Sequence, residues 1–127
     1  MGCYWLVVNG TFSGGGTIQF GYNTTATGSG TNILAGSGTL STSTWSHIAV
    51  TRSGANIRCF VNGTQVGTTN TGIGSSAIYP VNQNIYIGQT VDGDGYNMNG
   101  YLDDLRITKA ARYTANFTPP TKAMIGQ

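Results

Sequence analysis

Short runs that alternate apolar and polar residues recur along the whole chain, and glycine-rich turns separate them. Eight runs follow this rhythm: CYWLVV, TIQFGY, NILAG, SHIAVTR, NIRCFV, TQVGTT, NIYIGQ and YLDDLRIT. Such spacing, with a turn about every ten residues, is typical of an antiparallel sandwich or barrel. Only 8% of the residues are charged and 20 are glycine, so long amphipathic helices cannot be assembled. We therefore predict an all-β fold.

The 127 residues suit one domain with a single core, and we predict one domain over residues 1–127. The six basic residues are dispersed along the chain and give a net charge of only +2. Nucleic-acid binding needs clustered Lys and Arg, so we expect none. The N-terminal run MGCYWLVVNG lacks the basic region of a secretory signal and the length of a membrane span. We expect no membrane partner.

Catalysis is disfavoured by the acidic residues. The chain has no glutamate, the residue that glycoside hydrolases most often use as acid or nucleophile. Asp103 and Asp104 are adjacent, and neighbouring side chains on a regular strand point to opposite faces. Two cysteines, Cys3 and Cys59, could pair or remain as small buried residues, and the second interpretation is favoured. We predict a protein without enzymatic activity, and a glycan-degrading enzyme is the remote alternative.

The middle of the chain predicts a three-stranded meander. SHIAVTR places Ile48 and Val50 on one face and His47 and Thr51 on the other, and SGAN then supplies a turn before NIRCFV. Asn-Gly in VNGTQV is a strong signal for a type I′ hairpin. Toward the C-terminus we expect YLDDLRIT to be a strand with a bulge at its paired aspartates, or one buried on both faces. KAAR, residues 109–112, is long enough for one helical turn.

Three motifs together carry a family resemblance: TWSHIAVTRSGANIRCFVNGTQVG, then IYIGQ, then MNGYLDDLRITKAARYTANFTPPT. They resemble the laminin G-like branch of the concanavalin A-like lectin/glucanase superfamily, in the form that occurs in bacteriophage virion proteins. The closing ARYTANFTPP is the most telling part. The motifs are strongest over residues 45–121, whereas the first strands agree only in rhythm.

The resemblance implies an antiparallel β-sandwich of the concanavalin A-like jelly-roll type. Relatives usually begin with further strands, and none precedes Cys3 here, so we expect those N-terminal strands to be lacking. An uncovered sheet edge would then need a partner. Three solutions are open: the first residues re-pair, another copy completes the sheet, or the chain is part of a longer protein. The second solution predicts a homo-oligomer or a subunit embedded in a virion lattice.

His47 is the single histidine, and the family-like strand contains it. A lone histidine without cysteine or glutamate neighbours is a weak metal set, and no nucleophile motif surrounds it. Buried polar groups usually have a hydrogen-bond partner. We therefore expect the imidazole to be hydrogen-bonded to a neighbouring strand and to have no chemical role.

The best candidate site is the loop QTVDGDGYNMNG, residues 89–100. Asp92 and Asp94 alternate with glycine, a spacing that lets carboxylates and backbone carbonyls converge on Ca²⁺, although a solvated turn is the more common outcome. Ca²⁺ is the one candidate cofactor that the sequence offers. Tyr96, Asn97 and Asn99 suit sugar binding by stacking and hydrogen bonding. Trp5, Tyr22 and Tyr79 are further stacking candidates, but large aromatic residues on strands are more often core.

Two functions follow from the resemblance. The first is a phage virion module, in a tail, fibre or capsid surface, that adheres to glycans or other host-surface ligands. The second is a purely structural decoration or cementing protein that contacts other virion proteins. Either function places the protein in the virion, at the surface of an extracellular particle.

Overall fold

The computed structural model describes residues 4–11, 15–25, 31–34, 40–80, 85–89 and 97–122. Six strands follow one another in this part of the chain, and it contains no helix. Their bounds are β1 Tyr4–Thr11, β2 Gly15–Tyr22, β3 Thr31–Leu34, β4 Ile48–Ser53, β5 Asn56–Val61 and β6 Thr64–Asn70. The predicted all-β class is confirmed.

The strands form two antiparallel meanders of three strands each. The first sheet has the order β1-β2-β3 and the second has the order β4-β5-β6. β1 pairs with β2 through eight consecutive residue pairs, from Tyr4 opposite Tyr22 to Thr11 opposite Gly15. The predicted Asn-Gly hairpin joins β5 to β6, and both of its turn residues have positive φ, 49° at Asn62 and 79° at Gly63. Positive φ at both positions is what a type I′ turn requires.

The core lies between the two sheets. Ile18, Phe20 and Tyr22 alternate along β2 and pack against Ile57 and Cys59 of β5. Ile73, in the turn after β6, is buried in the same cluster. Half-buried apolar side chains surround this core: Leu40, Ile48, Val50, Val61, Val66 and Ile78. The face predicted for Ile48 and Val50 is therefore correct.

The second sheet is also covered on its outer face. Phe60 is fully buried there, on the face opposite to Cys59. Residues 113–119, which we call the C-terminal segment, lie over this face. The hydroxyl of Thr51 donates to the carbonyl of Tyr113 over 2.8 Å, and the N–H of Phe117 donates to the carbonyl of Gly63 over 2.9 Å. The C-terminal segment is thus part of the packed structure.

Two predicted strands are wrong. Residues 85–89 contain only an isolated bridge at Gln89, and residues 101–108 contain no strand. Leu105 and Ile107, which alternate with polar residues in YLDDLRIT, are 60% and 61% exposed, and Asp104 has a φ of 52°. Apolar alternation stabilises a strand only when a neighbouring strand and a facing layer are present. These residues have neither within the described part of the chain.

The helical turn predicted at residues 109–112 is also wrong, because this stretch forms bends. A single turn fixes several backbone angles for one hydrogen bond, so it needs packing to persist. Lys109, Ala110 and Arg112 are all exposed, and that packing is lacking. Nor does the described part of the chain contain a helix long and apolar enough to span a membrane.

Candidate functional site

The ends of the predicted binding loop are paired with each other. Gln89 and Asn97 form an isolated antiparallel bridge, and the N–H of Met98 donates to the carbonyl of Gly88 over 2.7 Å. Gly88 has a φ of 78°, a backbone conformation that glycine adopts without strain. The bridge therefore closes the base of the loop whose tip is residues 90–96.

The predicted ligands divide into two groups. Asp92, Asp94 and Tyr96 lie outside the described residues, so their roles in binding sugar or Ca²⁺ stay predictions. Asn97 and Asn99 are described and both are exposed at the loop base. In the described ranges no group of three or more His, Cys, Asp or Glu side chains could hold a metal ion.

Sequence reasoning missed Tyr101, which follows this loop. It was assigned to a strand, yet its side chain is 85% exposed. Met98 between the two asparagines is 45% exposed. Exposed aromatic rings can stack on the apolar face of a sugar, and asparagine amides both donate and accept hydrogen bonds. The loop base thus presents the side-chain types that sugar binding uses.

The aromatic residues on strands have other surroundings. Tyr22 is only 2% exposed because its side chain lies in the core, the more common position for a large aromatic residue on a strand, so it is not available for stacking on a sugar. Trp5 lies over Gly21, where a β-carbon would overlap the indole ring. Tyr79 is partly exposed, and its N–H donates to the carbonyl of Asn23 over 2.8 Å. Trp45, which precedes β4, is 68% exposed and is therefore more accessible than Tyr22 and Tyr79.

His47 belongs to an aromatic cluster on the outer face of the second sheet. This outer-face cluster consists of His47, Phe60, Tyr113 and Phe117. Tyr113 and Phe117 stack with ring centroids 3.5 Å apart, and the imidazole of His47 meets both rings nearly edge-on, at 6.2 and 5.5 Å. The rings of Tyr113 and Phe117 also meet Phe60 edge-on. The cluster fastens the C-terminal segment to the sheet.

The hydrogen bonding of His47 differs from the prediction. Its backbone N–H donates to Oδ1 of Asn62 over 2.8 Å, whereas the buried Nδ1 of the ring has no hydrogen-bond partner among the described residues. We expected a hydrogen-bonding strand next to the imidazole, but the ring contacts Tyr113 and Phe117 of the C-terminal segment instead. His47 therefore packs against the C-terminal segment, next to the hairpin that contains Asn62.

Cys59 is the one described cysteine, and it is free and buried in the core. Cys3 lies outside the described residues. Desolvation by burial raises the pKa of the Cys59 thiol from 9.0 to about 11. Because the thiolate is the reactive form of cysteine, burial and the raised pKa both suppress reactivity.

We expect Cys59 to be resistant to thiol reagents in the folded protein. At pH 8 a thiol with this pKa is roughly 0.1% thiolate, against about 9% for a thiol with a pKa of 9.0. A Cys3→Ser variant should therefore react with an aromatic disulfide reagent about 100-fold more slowly when folded than in urea. Its folded-state rate should rise tenfold per pH unit up to about pH 11. Equal rates in both states would show that Cys59 is accessible.

The fold defines the class of the molecule: an antiparallel β-sandwich, in which the paired ends of residues 89–97 leave Asn97 exposed. The comparisons identify this class further. A laminin G family model, described as the concanavalin A-like lectin/glucanases superfamily, matches residues 4–116. The chain belongs to this superfamily. The match therefore also covers the residues before position 45, where the sequence showed only short alternating runs.

A search of solved structures found a crystal structure of an S-layer domain-containing protein from Clostridium thermocellum. It is 31% identical, and the alignment covers 76% of this chain and 47% of that one, with a TM-score of 0.46. The chain therefore spans about half the length of that structure. No curated protein matched the sequence.

Proposed function

We propose that this domain is a non-enzymatic module of a phage virion, in a tail, fibre or capsid-surface protein, and that it binds glycans through residues 89–100. The observation that carries the proposal is the bridge between Gln89 and Asn97, together with the exposure of Asn97, Asn99 and, two residues further along the chain, Tyr101. Membership of the lectin-like superfamily supports carbohydrate or protein binding. The phage setting is supported by the resemblance of ARYTANFTPP, residues 111–120, to virion relatives.

The loop tip supplies the second part of this proposal. Asp92 and Asp94 alternate with glycine, so their carboxylates and the intervening carbonyls could hold Ca²⁺. A cation held by these carboxylates would lie next to Tyr96 in the sequence, the residue proposed to stack on a sugar ring. The antiparallel bridge between Gln89 and Asn97 brings the two ends of this segment together.

A glycan array on the purified protein tests the loop directly. We expect binding to one glycan class, and a loss of at least about tenfold in affinity in an Asp92→Ala/Asp94→Ala variant, since carboxylate ligands dominate Ca²⁺ sites. A chelator should weaken the wild type to the same extent and leave the variant unchanged. Asp103→Ala, which removes an exposed carboxylate outside the loop, serves as the matched control and should retain binding.

The results that would contradict this proposal are distinct. Glycan binding that survives the double substitution would show that Asp92 and Asp94 are not needed for glycan recognition. Turnover of any bound glycan would show an enzyme, against the proposal of a binding module.

A structural role is the second candidate function, and the exposed apolar side chains favour it. Large apolar side chains remain accessible along residues 85–87 and 102–107, among them Ile85, Ile87, Leu102, Leu105 and Ile107. Apolar side chains that stay exposed in groups, as in each of these two stretches, are typical of contact sites for other proteins. A decoration or cementing subunit, or a homo-oligomer, would bury it. Absence of glycan binding together with specific retention on virions would favour this role.

A further inference from the structure

Three Asn-Gly pairs occur in the sequence, at Asn9-Gly10, Asn62-Gly63 and Asn99-Gly100. Asparagine followed by glycine is chemically labile, because glycine has no side chain to shield its backbone nitrogen. That nitrogen can attack Cγ of the asparagine side chain and close a five-membered succinimide ring. The attack requires rotation of the backbone and of the side chain, so the surrounding structure decides which pair reacts.

The pair at Asn62-Gly63 is held in place by its neighbours. The N–H of Asn62 donates to the carbonyl of His47 over 2.8 Å, and Oδ1 of Asn62 accepts from the N–H of His47 over 2.8 Å. Gly63 is buried, and its carbonyl accepts from the N–H of Phe117 over 2.9 Å. Rotation of the Asn62 side chain would break its bond to His47. Attack by Gly63 therefore requires local opening of the hairpin.

The pair at Asn9-Gly10 lies within a sheet. Both residues belong to β1, whose register places Asn9 opposite Thr17 and Gly10 opposite Gly16. This pairing keeps the backbone of both residues extended. Rotation of the peptide between Asn9 and Gly10 would therefore require local opening of the ladder as well.

The pair at Asn99-Gly100 lacks these restraints. Both residues are exposed and lie outside the six strands. Within the described ranges, neither the side chain of Asn99 nor the backbone nitrogen of Gly100 makes a hydrogen bond. The antiparallel bridge at Asn97 ends two residues earlier. Rotation about Asn99 therefore breaks no hydrogen bond of its side chain or of the following backbone nitrogen.

We propose that Asn99 is a site of spontaneous deamidation in the folded protein, whereas Asn62 is protected by its hydrogen bonds. The backbone nitrogen of Gly100 loses its proton and forms a bond to Cγ of Asn99. The bond from Cγ to Nδ2 breaks, and Nδ2 leaves as ammonia with that proton. Water then opens the succinimide at either carbonyl and leaves an aspartyl or an isoaspartyl residue in place of Asn99. Water is the only other reactant, and nothing is oxidised or reduced.

Deamidation changes the chemistry of the loop base. It replaces an amide, which donates and accepts hydrogen bonds, by a carboxylate, which only accepts them. The one added carboxylate lowers the formal net charge of the chain from +2 to +1. The proposed glycan site uses the amide of Asn99, so deamidation should weaken glycan binding. This consequence rests on the proposed function, whereas the modification itself does not.

Peptide mass spectrometry of the folded protein tests the modification. Deamidation replaces NH₂ by OH and adds about 1 Da to the peptide. One tryptic peptide, from Cys59 to Arg106, contains both Asn62 and Asn99, so its fragment ions compare the two sites in one sample. At mildly alkaline pH we expect deamidation at Asn99 to be at least about tenfold faster than at Asn62. In urea, where the hairpin is open, the two sites should react at similar rates.

Gly100→Ala is the matched variant for this measurement. A β-carbon at Gly100 would have one neighbour within 4 Å, the terminal methyl of Met98 at 3.3 Å, and that flexible side chain can move. The added methyl group shields the backbone nitrogen, so deamidation of Asn99 should slow at least about tenfold. An unchanged rate in this variant would overturn the proposal. So would equal rates at Asn62 and Asn99 in the folded protein, or no deamidation at Asn99 while the unfolded protein deamidates.

The effect on glycan binding is measured separately with Asn99→Asp, which reproduces the aspartyl product. We expect it to bind the glycan that the wild type selects at least about tenfold more weakly. Asn116→Asp is the matched control, since it adds the same charge on the C-terminal segment and keeps the Oδ1 acceptor for Gln65. Unchanged binding by Asn99→Asp would overturn the effect on binding alone. If the wild type binds no glycan, the proposed function fails, but deamidation at Asn99 is still expected.

Discussion

Replacing Gly63 by alanine should lower the free energy of unfolding by about 3 kcal/mol or more, the largest effect we expect from adding a single methyl group. Gly63 is the second turn residue of the β5–β6 hairpin and has a φ of 79°. An alanine there adopts a left-handed conformation at a cost of about 1–2 kcal/mol. The remaining loss comes from the C-terminal segment that lies against this turn.

The added methyl group has no free space at Gly63. A β-carbon there would overlap the carbonyl oxygen of Phe117 and touch Cδ of Pro119. Backbone atoms cannot rotate away as a flexible side chain would. The same turn accepts a hydrogen bond from the N–H of Phe117, so moving the segment would break that bond as well. We therefore expect the variant to lose the docking of the C-terminal segment.

Gly54→Ala is the matched control for this prediction. Gly54 lies in the β4–β5 turn with a φ of 59°, but a β-carbon there would meet no atom within 4 Å. It should lose only the backbone contribution, about 1–2 kcal/mol. Urea unfolding of both variants, followed by tryptophan fluorescence, measures the difference. Equal losses would show that the C-terminal segment does not constrain the Gly63 turn.

The hairpin itself could be predicted from the sequence, because its signal is local. Asn62-Gly63 needs no distant contact to favour a type I′ turn, and alternation in SHIAVTR and NIRCFV is visible within each run. The sequence also indicated that the second sheet is covered on both of its faces. Phe60 shares its face with Arg58 rather than with Cys59, which places a large apolar side chain on the supposed outer surface.

The C-terminal part could not be predicted in the same way. Alternation at Leu105 and Ile107 predicts a strand, but a strand also needs a neighbour to bond with, and no local pattern shows whether one is present. The packing of Tyr113 and Phe117 on Phe60 joins residues more than fifty positions apart. Tyr101 was missed as an exposed ring for the same reason, since its exposure follows from the strand that did not form.

The candidate site was predicted from residue types alone. Asn97 and Asn99 were expected in an accessible loop, and both are exposed. The bridge between Gln89 and Asn97 that holds them had no sequence signal, because two residues flanking a polar loop can pair or splay. The types of residue in this loop thus predicted the position of the candidate site. They did not predict that backbone pairing joins Gln89 to Asn97.

Phe60→Ala should destabilise the fold by about 3–5 kcal/mol, the range for removing a fully buried phenylalanine. The side chain is 0% exposed, although it lies outside the core between the sheets. Its neighbours are the stacked rings of Tyr113 and Phe117, with centroids 6.4 and 5.4 Å away. The loss should therefore depend on the C-terminal segment. Chemical unfolding of single and double variants measures this dependence.

A double-mutant cycle separates this cluster from the core. If the ring of Phe117 stabilises the fold through Phe60, then Phe60→Ala and Phe117→Ala should be non-additive by about 1 kcal/mol, the scale of an edge-to-face aromatic pair. Ile18→Ala, a fully buried change in the inner core, should instead add to Phe117→Ala within about 0.5 kcal/mol. Additivity in both cycles would mean that the C-terminal segment covers Phe60 without stabilising it. Coupling confined to the Phe60 cycle would mean that this sandwich has two layers of packing, one between its sheets and one beneath its C-terminal segment.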